Sequence, residues 1–471
     1  MATTVNLRKI LDRKQWEMVN NLPATPATGS TFIQSEGPDQ QVMYVASSTS
    51  VYLYDPNEDA YVLLPTPSFA NGTFGTGVCG AYHTNGPTGT ATGGSTTTLN
   101  SAVTTVGSLA GYTIRITGGT GAGQDRVIAS NTVGTNATFT VSSAFTTAPD
   151  STSTYLLLTG RYYVFLPGAT TPGFKYYDVA TNTWSAALSI TGAPTGAAAD
   201  LAMKTTCGYL ASFSTGTVNT GTSTTLVSSS KTWATNQWVN FQVRINGTNT
   251  ATGQVRTITA NDATSLTVSG WSATPSSANT FTIEGNDDFI YLTGNASTAI
   301  YRYSISGNTW STLSGARASA AGAGGVSLNW VRSSTNTTWT NESAIINGRR
   351  LYSFRGGATG NLDYYDIPTN TWTSLLTSYQ YGGSETVTTG TAFENGSNGL
   401  IYLQKDATGR FFKFDCMANA LLPWSLLPFT QGTATVGNKA FSVKYTDGAT
   451  TLTYIYFGLN STAIAFRCLV I

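Results

Sequence analysis

The sequence predicts an all-β fold made of repeated sheets, and three observations carry that prediction. First, an aromatic strand, a polar turn and a tryptophan recur: "YYDVATNTW" begins at Tyr176, "YRYSISGNTW" at Tyr301 and "YYDIPTNTW" at Tyr364. Second, the 471 residues include 49 glycines, with 11% aromatic and 40% hydrophobic residues, the composition of turn-rich β structure. Thr, Tyr, Val and Trp suit strands and Gly and Asn suit turns, whereas disordered chains lack this apolar content. Third, two stretches that interrupt the repeat resemble each other.

The fullest copy of the repeat is "RLYSFRGGATGNLDYYDIPTNTWTSL". It reads as a strand from Leu351 to Phe354, the doublet Gly356-Gly357, a second strand ending in Tyr364-Tyr365-Asp366, the turn "IPTN" and a third strand bearing Trp372. Alternation with period two gives each strand one apolar face. Further copies begin at Val42, Tyr162, Phe289 and Ile401, and a last one at Tyr454 stops after its second strand. Its missing strand has a counterpart around Trp16, in "DRKQWEMVNNLP". Six copies, one split between the termini, predict a six-bladed β-propeller closed by the N-terminal strand. Closure removes the free sheet edges on which aggregation starts. Small-residue stretches before the copies ("GTGVCGAY", "GAAADLAM", "ASAAGAGGVSL") suit crowded innermost strands. Trp16, Tyr61, Trp184, Trp310, Trp372 and Trp424 are the expected outer positions, filling the widening gaps between blades. The Gly doublet, tyrosine strand and spaced tryptophan resemble the kelch family of propellers, although only Gly356-Gly357 completes the doublet.

The two interruptions read as inserted β modules. "GYTIRITGGTGAGQDRVIASNTVGTNATFTVSSAFTTAPDSTSTYLL" parallels "NFQVRINGTNTATGQVRTITANDATSLTVSGWSATPSSANTFTI", with Arg115 matching Arg244 and Gly123-Gln124 matching Gly253-Gln254. Both follow a Cys-Gly pair, Cys79-Gly80 and Cys207-Gly208, so both leave the connection after an innermost strand and project side by side. The predicted organisation is a leader or docking arm over 1–14 and propeller over 15–86. The first module spans 87–158, propeller resumes over 159–215, the second module spans 216–283, and propeller follows over 284–471.

Catalytic chemistry finds little support. "GGTGAGQDR" lacks the Lys-Ser/Thr of a phosphate loop, and the strand-like residues after it make it a β-hairpin tip. The single histidine, His83, reads as a surface polar residue and leaves any Ser-His-Asp or Cys-His arrangement to one group. Asp55, Asp178, Asp366 and Asp415 recur at one place in the repeat, where an aspartate caps a turn. The pair Asp287-Asp288 lacks a spaced series of calcium ligands. Cys416 and Cys468 follow "FKFD" and "IAFR", which suggests equivalent places, and the four cysteines read as buried free thiols. No catalytic residue, cofactor or metal ligand is expected.

Charged residues make up only 10% of the chain, the net charge is +1, and no block of like charge points to nucleic acid. No apolar run approaches the roughly 18 residues of a membrane span, and the N-terminus lacks a secretory apolar core. The Ser/Thr-rich hairpins, the "GTGAGQ" core and "PDSTSTYLL" resemble β modules of tailed-bacteriophage structural proteins. That resemblance implies a non-enzymatic virion component of the head, neck or tail, assembled in the host cytoplasm and bound to other virion proteins. A homo-oligomer fits the same reading. The alternatives are an adhesin binding a host surface glycan or receptor, through Trp271 or Trp339 for example, and an enzyme acting on glycans. In "VNLRKILDRK", Leu7, Ile10 and Leu11 fall on one helical face and form a candidate docking surface.

Overall fold

A computed structural model of the chain describes residues 16–24, 30–35, 38–46, 50–69, 77–168, 171–195, 201–205, 212–247, 249–286, 288–294, 296–320, 328–330, 350–355, 361–376, 379–380, 384–385, 392–395, 400–405, 410–416, 420–426, 439–447, 450–458 and 465–470. Among them there is no helix, and the chain is all-β with a propeller-like arrangement of antiparallel sheets.

Each repeat copy builds a four-stranded sheet by simple meander. The first uses Thr31–Gln34, Val42–Val45, Val51–Asp55 and Ala60–Leu63. The second uses Cys79–His83, Arg161–Leu166, Gly173–Asp178 and Thr183–Trp184. The third uses Leu201–Thr205, Phe289–Gly294, Ile300–Ser304 and Thr309–Thr312. The fourth begins at Asn329–Trp330 and ends at Thr371–Leu376, and the fifth begins at Ala392–Asn395 and ends at Ala420–Leu426. In the sixth, Lys439–Asp447, Thr450–Gly458 and Ala465–Val470 are completed by Trp16–Met18 from the other end of the chain, with Trp16 opposite Cys468.

Apolar faces of successive sheets pack on each other. Ile33 and Met43 of the first meet Tyr162 and Val164 of the second. Tyr163 and Phe165 meet Ile290 and Trp310 of the third. Tyr291 meets Leu351 and Tyr365 of the fourth, and Phe354 meets Leu403 and Phe414 of the fifth. Val42 and Tyr44 of the first pack on Phe441 and Tyr456 of the sixth.

The repeated "Y…NTW" has a specific physical cause. Tyr54, Tyr177, Tyr303 and Tyr365 each donate a hydroxyl hydrogen bond to the residue five positions on: Asp59 (2.8 Å), Asn182 (2.7 Å), Asn308 (2.8 Å) and Asn370 (2.6 Å). All four acceptors have left-handed backbone, φ between 47° and 54°. Asn and Asp tolerate that region better than other residues with a side chain. Three of these acceptors also reach the preceding sheet's outgoing loop: Asp59 takes Asn20 N–H (3.0 Å), Asn308 takes Ser189 N–H (2.9 Å) and Asn370 takes Gly315 N–H (3.3 Å). One turn residue thus closes its own hairpin and ties two sheets.

The aromatic positions divide. Trp184, Trp310, Trp372 and Tyr61 lie opposite those tyrosines, and Trp16 occupies the same register in the sixth sheet. Trp310 packs on Phe165 and Phe174 of the preceding sheet, and Trp184 donates its indole N–H to Pro65 O at 2.6 Å. Trp424 does not share the register. Leu421 stands opposite Phe414, and Trp424, three residues further along the strand, falls at the irregularity where the pairing passes from Pro423 to Ser425. The expected equivalence of Cys416 and Cys468 also fails, because Cys468 lies inside a strand opposite Trp16 whereas Cys416 falls in the turn after its strand.

Candidate functional site

The chain leaves the second sheet after His83 and returns at Arg161, and in between forms a closed six-stranded barrel from Thr88–Gly94 to Thr154–Leu158. It leaves the third sheet after Thr205 and returns at Phe289, forming a seven-stranded sheet with the same strand order. The second module differs because the first strand is broken into Ser212–Thr217 and Thr220–Gly221, where the first has one continuous strand. The first of these pieces already includes Gly216, so the boundary expected there falls inside a strand.

The "GQ-x-R" core that the modules share is a bracket. The Gln124 amide donates to Gly121 O and Thr147 O, and its oxygen accepts Thr146 N–H. Gln254 repeats this with Ala251 O, Ala273 O and Ser272 N–H. Arg126 donates through Nε to Ala144 O, and Arg256 to Gly270 O. Asn131 and Asn261 accept a backbone N–H from Leu109 and Trp238 respectively. Each bracket pins a β-hairpin tip, Gly119 to Gln124 in one module and Asn249 to Gln254 in the other, to the strand connection beside it.

The two tips meet. A Cβ added to Gly123 would lie 3.1 Å from Gly253 N, and one added to Gly253 would lie 3.0 Å from Gly123 N. Equivalent residues in mutual contact define a pseudo-twofold relation between the modules. Beside the tips lie four charges. Arg115 chelates Asp125 through Nε and Nη2 at 2.8 and 2.9 Å, and Arg244 donates to Glu284 Oε1 at 2.8 and 2.5 Å. Two longer pairs cross the boundary, Arg115 to Glu284 at 3.7 Å and Arg244 to Asp125 at 3.3 Å. The arginines are equivalent but the acids are not: Val255 stands opposite Arg244 where Asp125 stands opposite Arg115. Burial pushes the Glu284 carboxyl above its ordinary range, with the two arginines offsetting part of that rise.

Between the modules and the third sheet opens a cleft of about 780 Å³. Its lining includes Arg115 of the first module, Arg244, Gln242, Thr257, Ser269 and Ser272 of the second, and Asp288 and Ser306 beside the strands of the third sheet. The sequence marked this cleft only through the matched Arg115 and Arg244, because it lies where two separate modules meet.

Other expectations fall elsewhere. Leu7, Ile10, Leu11, Trp339, Cys207 and Asp287 lie outside the described residues. His83 is buried at 3% exposure, with Nδ1 accepting Asn85 N–H, so its reading as a surface residue is corrected. It stands in a strand under the first module, paired with Arg161. Trp271 is likewise buried, at 8% exposure in the second module's core, and is no exposed stacking platform. Asp55, Asp178 and Asp366 cap their turns by accepting N–H from Asn57, Ala180 and Thr369. Asp178 and Asp366 also pair with Arg161 and Arg350. Asp288 accepts Ser306 N–H and the Ser304 hydroxyl. Cys79 and Cys468 are buried, and Cys416 is partly buried. Among the described residues no three His, Cys, Asp or Glu side chains converge to hold a metal ion.

No family model matches the chain, and no curated protein matches it. Among solved structures it is similar to a chain in a crystal structure of the mitotic checkpoint complex, at 9% identity and a TM-score of 0.38, covering 97% of this chain and 92% of that one. A likeness at that score carries no functional argument.

Proposed function

We propose that this protein is a non-enzymatic scaffold of a bacteriophage virion. In this reading the six sheets form a six-bladed kelch-like propeller over 15–86, 159–215 and 284–471, closed by Trp16–Met18, and two fused β modules are its outgrowths. The observation that carries the proposal is the locked module pair. Two like modules meet through Gly123 and Gly253 and share four interlocking charges, so their polar side chains are engaged in structure rather than in chemistry. A rigid, nearly neutral double outgrowth on a ring of sheets is suited to holding neighbours at fixed spacing. The resemblance of the modules to tailed-phage β modules supports a particle as the setting, with other virion proteins as partners. Mass spectrometry of purified particles tests it: the chain should be present in a fixed ratio to the capsid protein, and its absence overturns the virion reading. Deleting residues 1–22 tests the ring separately. The truncated protein should aggregate through the sixth sheet's open edge, and an unchanged soluble monomer with an unchanged Tm overturns closure.

A further inference from the structure

We propose that residues 1–15, which lie outside the described residues, dock in cis on the rim where the sixth and first sheets meet, over Met18, Val62 and Leu63. The outermost strands of the second, third and fourth sheets turn Thr and Ser to solvent, as at Thr183, Ser311 and Thr373. The first and sixth differ. Val62 and Leu63, on the first sheet's outermost strand, are 60% and 62% exposed, and Met18, on the sixth sheet's closing strand, is 67% exposed. One tie brings these two stretches together, because the Asn20 backbone N–H donates to Asp59. Met18 lies two residues before Asn20, and Val62 three residues after Asp59. Among the described strands nothing pairs with the outer side of Ala60–Leu63, so an open sheet edge runs beside the apolar side chains.

Charge and tether decide the occupant. No Lys or Arg occurs from residue 15 to residue 114, a stretch that holds six acids: Glu17, Glu36, Asp39, Asp55, Glu58 and Asp59. Asp55, Glu58 and Asp59 belong to the turn that leads into Ala60–Leu63, and Glu58 is exposed. The sequence before Trp16 is the opposite, with Arg8, Lys9, Arg13 and Lys14 against Asp12 alone, and Leu7, Ile10 and Leu11 at helical spacing. A basic segment with one apolar stripe complements an apolar strip bordered by acids. Leu11 stands nine residues before Asn20, a span of at most about 30 Å, and Asn20 is itself bonded to the acidic turn. So short a tether holds the segment at roughly millimolar effective concentration, which favours the chain's own rim over that of a second copy. The exposed valines of the first module, Val106, Val127 and Val133, lack this field, since residues 87–158 carry two acids and two arginines.

Limited trypsin digestion of the purified full chain tests this, with cuts after Arg8, Lys9, Arg13 and Lys14 followed by mass spectrometry. Cleavage tracks the population of the open form, so docking slows these cuts. Val62→Ser combined with Leu63→Ser, both at exposed positions, should leave Tm unchanged and speed the cuts about tenfold. Glu58→Gln should speed them about threefold, the scale of one exposed ion pair. Added salt should speed them more in the wild type than in Glu58→Gln. Val133→Ser should leave the rate at the wild-type value. Equal rates in the wild type and the Val62→Ser, Leu63→Ser variant overturn the proposal. Faster cutting in Val133→Ser places the segment on the first module, and a wild-type rate that rises on dilution assigns it to a second copy. Either result overturns docking in cis. The assay needs no particle, so its outcome is independent of the virion reading.

Discussion

Gly123 and Gly253 touch backbone to backbone, each at the same place in its own module and each with left-handed φ, +85° and +87°. Two separate demands therefore fix glycine. An L-residue in that conformation costs about 1–2 kcal/mol, and a Cβ would also press on the partner tip. Gly134, with φ +110° and nothing within 4 Å of an added Cβ, carries only the first demand. Gly123→Ala and Gly253→Ala should each lower Tm more than Gly134→Ala. The double variant should be non-additive, because the two sites share one contact. Equal losses at all three positions would show that the tips do not press together.

The charge cluster gives an asymmetric expectation. Removing one partner of a buried pair costs about 3–5 kcal/mol, whereas replacing both by apolar residues is often nearly neutral. Arg115→Leu should therefore destabilise strongly. Combining it with Asp125→Val, the residue the second module has at the equivalent place, should restore part of the loss. Urea unfolding of the single and double variants measures this, and a double variant weaker than the single would contradict it.

Glu284 adds a pH signature. Its folded pKa is raised by burial above the ordinary 4.5, so the folded state holds that proton more tightly than the unfolded chain. Its contribution to stability grows as pH falls from the raised value toward 4.5, is complete below that, and is lost as pH rises through the folded pKa. Relative to Glu284→Gln, the wild type should gain Tm as pH is lowered across this window. A relative loss would mean that the arginines, not burial, set the pKa.

The repeat was legible because each sheet spells its own hairpin. The Tyr and Asn five residues apart, and the Trp opposite that Tyr, are local signals. The sequence also placed Trp16 against the last sheet, since a missing strand and an orphan strand are both visible. Trp424 was misplaced because it stands ten residues after Phe414, whereas the other outer aromatics stand seven after their partners, and the sheet keeps the seven-residue spacing by placing Leu421 there. The burial of His83 and Trp271 was missed because both sit among Gly, Thr and Ser; the first stands in a strand of the second sheet and the second in the core of its own module. The cleft had a trace, the paired Arg115 and Arg244, but the acids Asp125 and Glu284 come from non-equivalent positions and only the fold brings them together.

The tyrosine–asparagine tie predicts an order of variants. Asn370 provides left-handed backbone, an acceptor for Tyr365 and Gly315, and a donor to Ser314. Asn370→Asp should be mildest, since Asp59 already serves in the first sheet. Asn370→Gly keeps the backbone and loses the acceptor, about 1 kcal/mol per lost hydrogen bond. Asn370→Ala loses both and should be worst. Tyr365→Phe should cost about 0.5–1.5 kcal/mol, and Phe414 in the corresponding register of the fifth sheet shows that the ring is accommodated without the hydroxyl. Thermal melts that place Ala above Gly would remove the left-handed turn from the explanation.

The modules should differ in how far the platform depends on them. Lengthening or shortening a surface loop changes closure entropy slowly, so an insertion is removable in principle. What decides is shared core. Among the described residues the first module's apolar core takes in Ala180 alone from the sheets, and a polar tie joins Tyr112 to Asp39 at 2.5 Å. The second module's core is continuous with Tyr291, Ile300, Leu351, Tyr365 and Ile367 of the third and fourth sheets, and Asn240 donates to Ile367 O at 3.2 Å. Replacing 87–158 by a short Gly/Ser turn should leave one cooperative unfolding transition with a modest drop in Tm. Replacing 216–283 should uncover part of the contact between the third and fourth sheets and lower Tm by much more, or prevent folding. Calorimetry of the two excisions compares them directly, and equal tolerance would show that the second module's core is separable from the sheets.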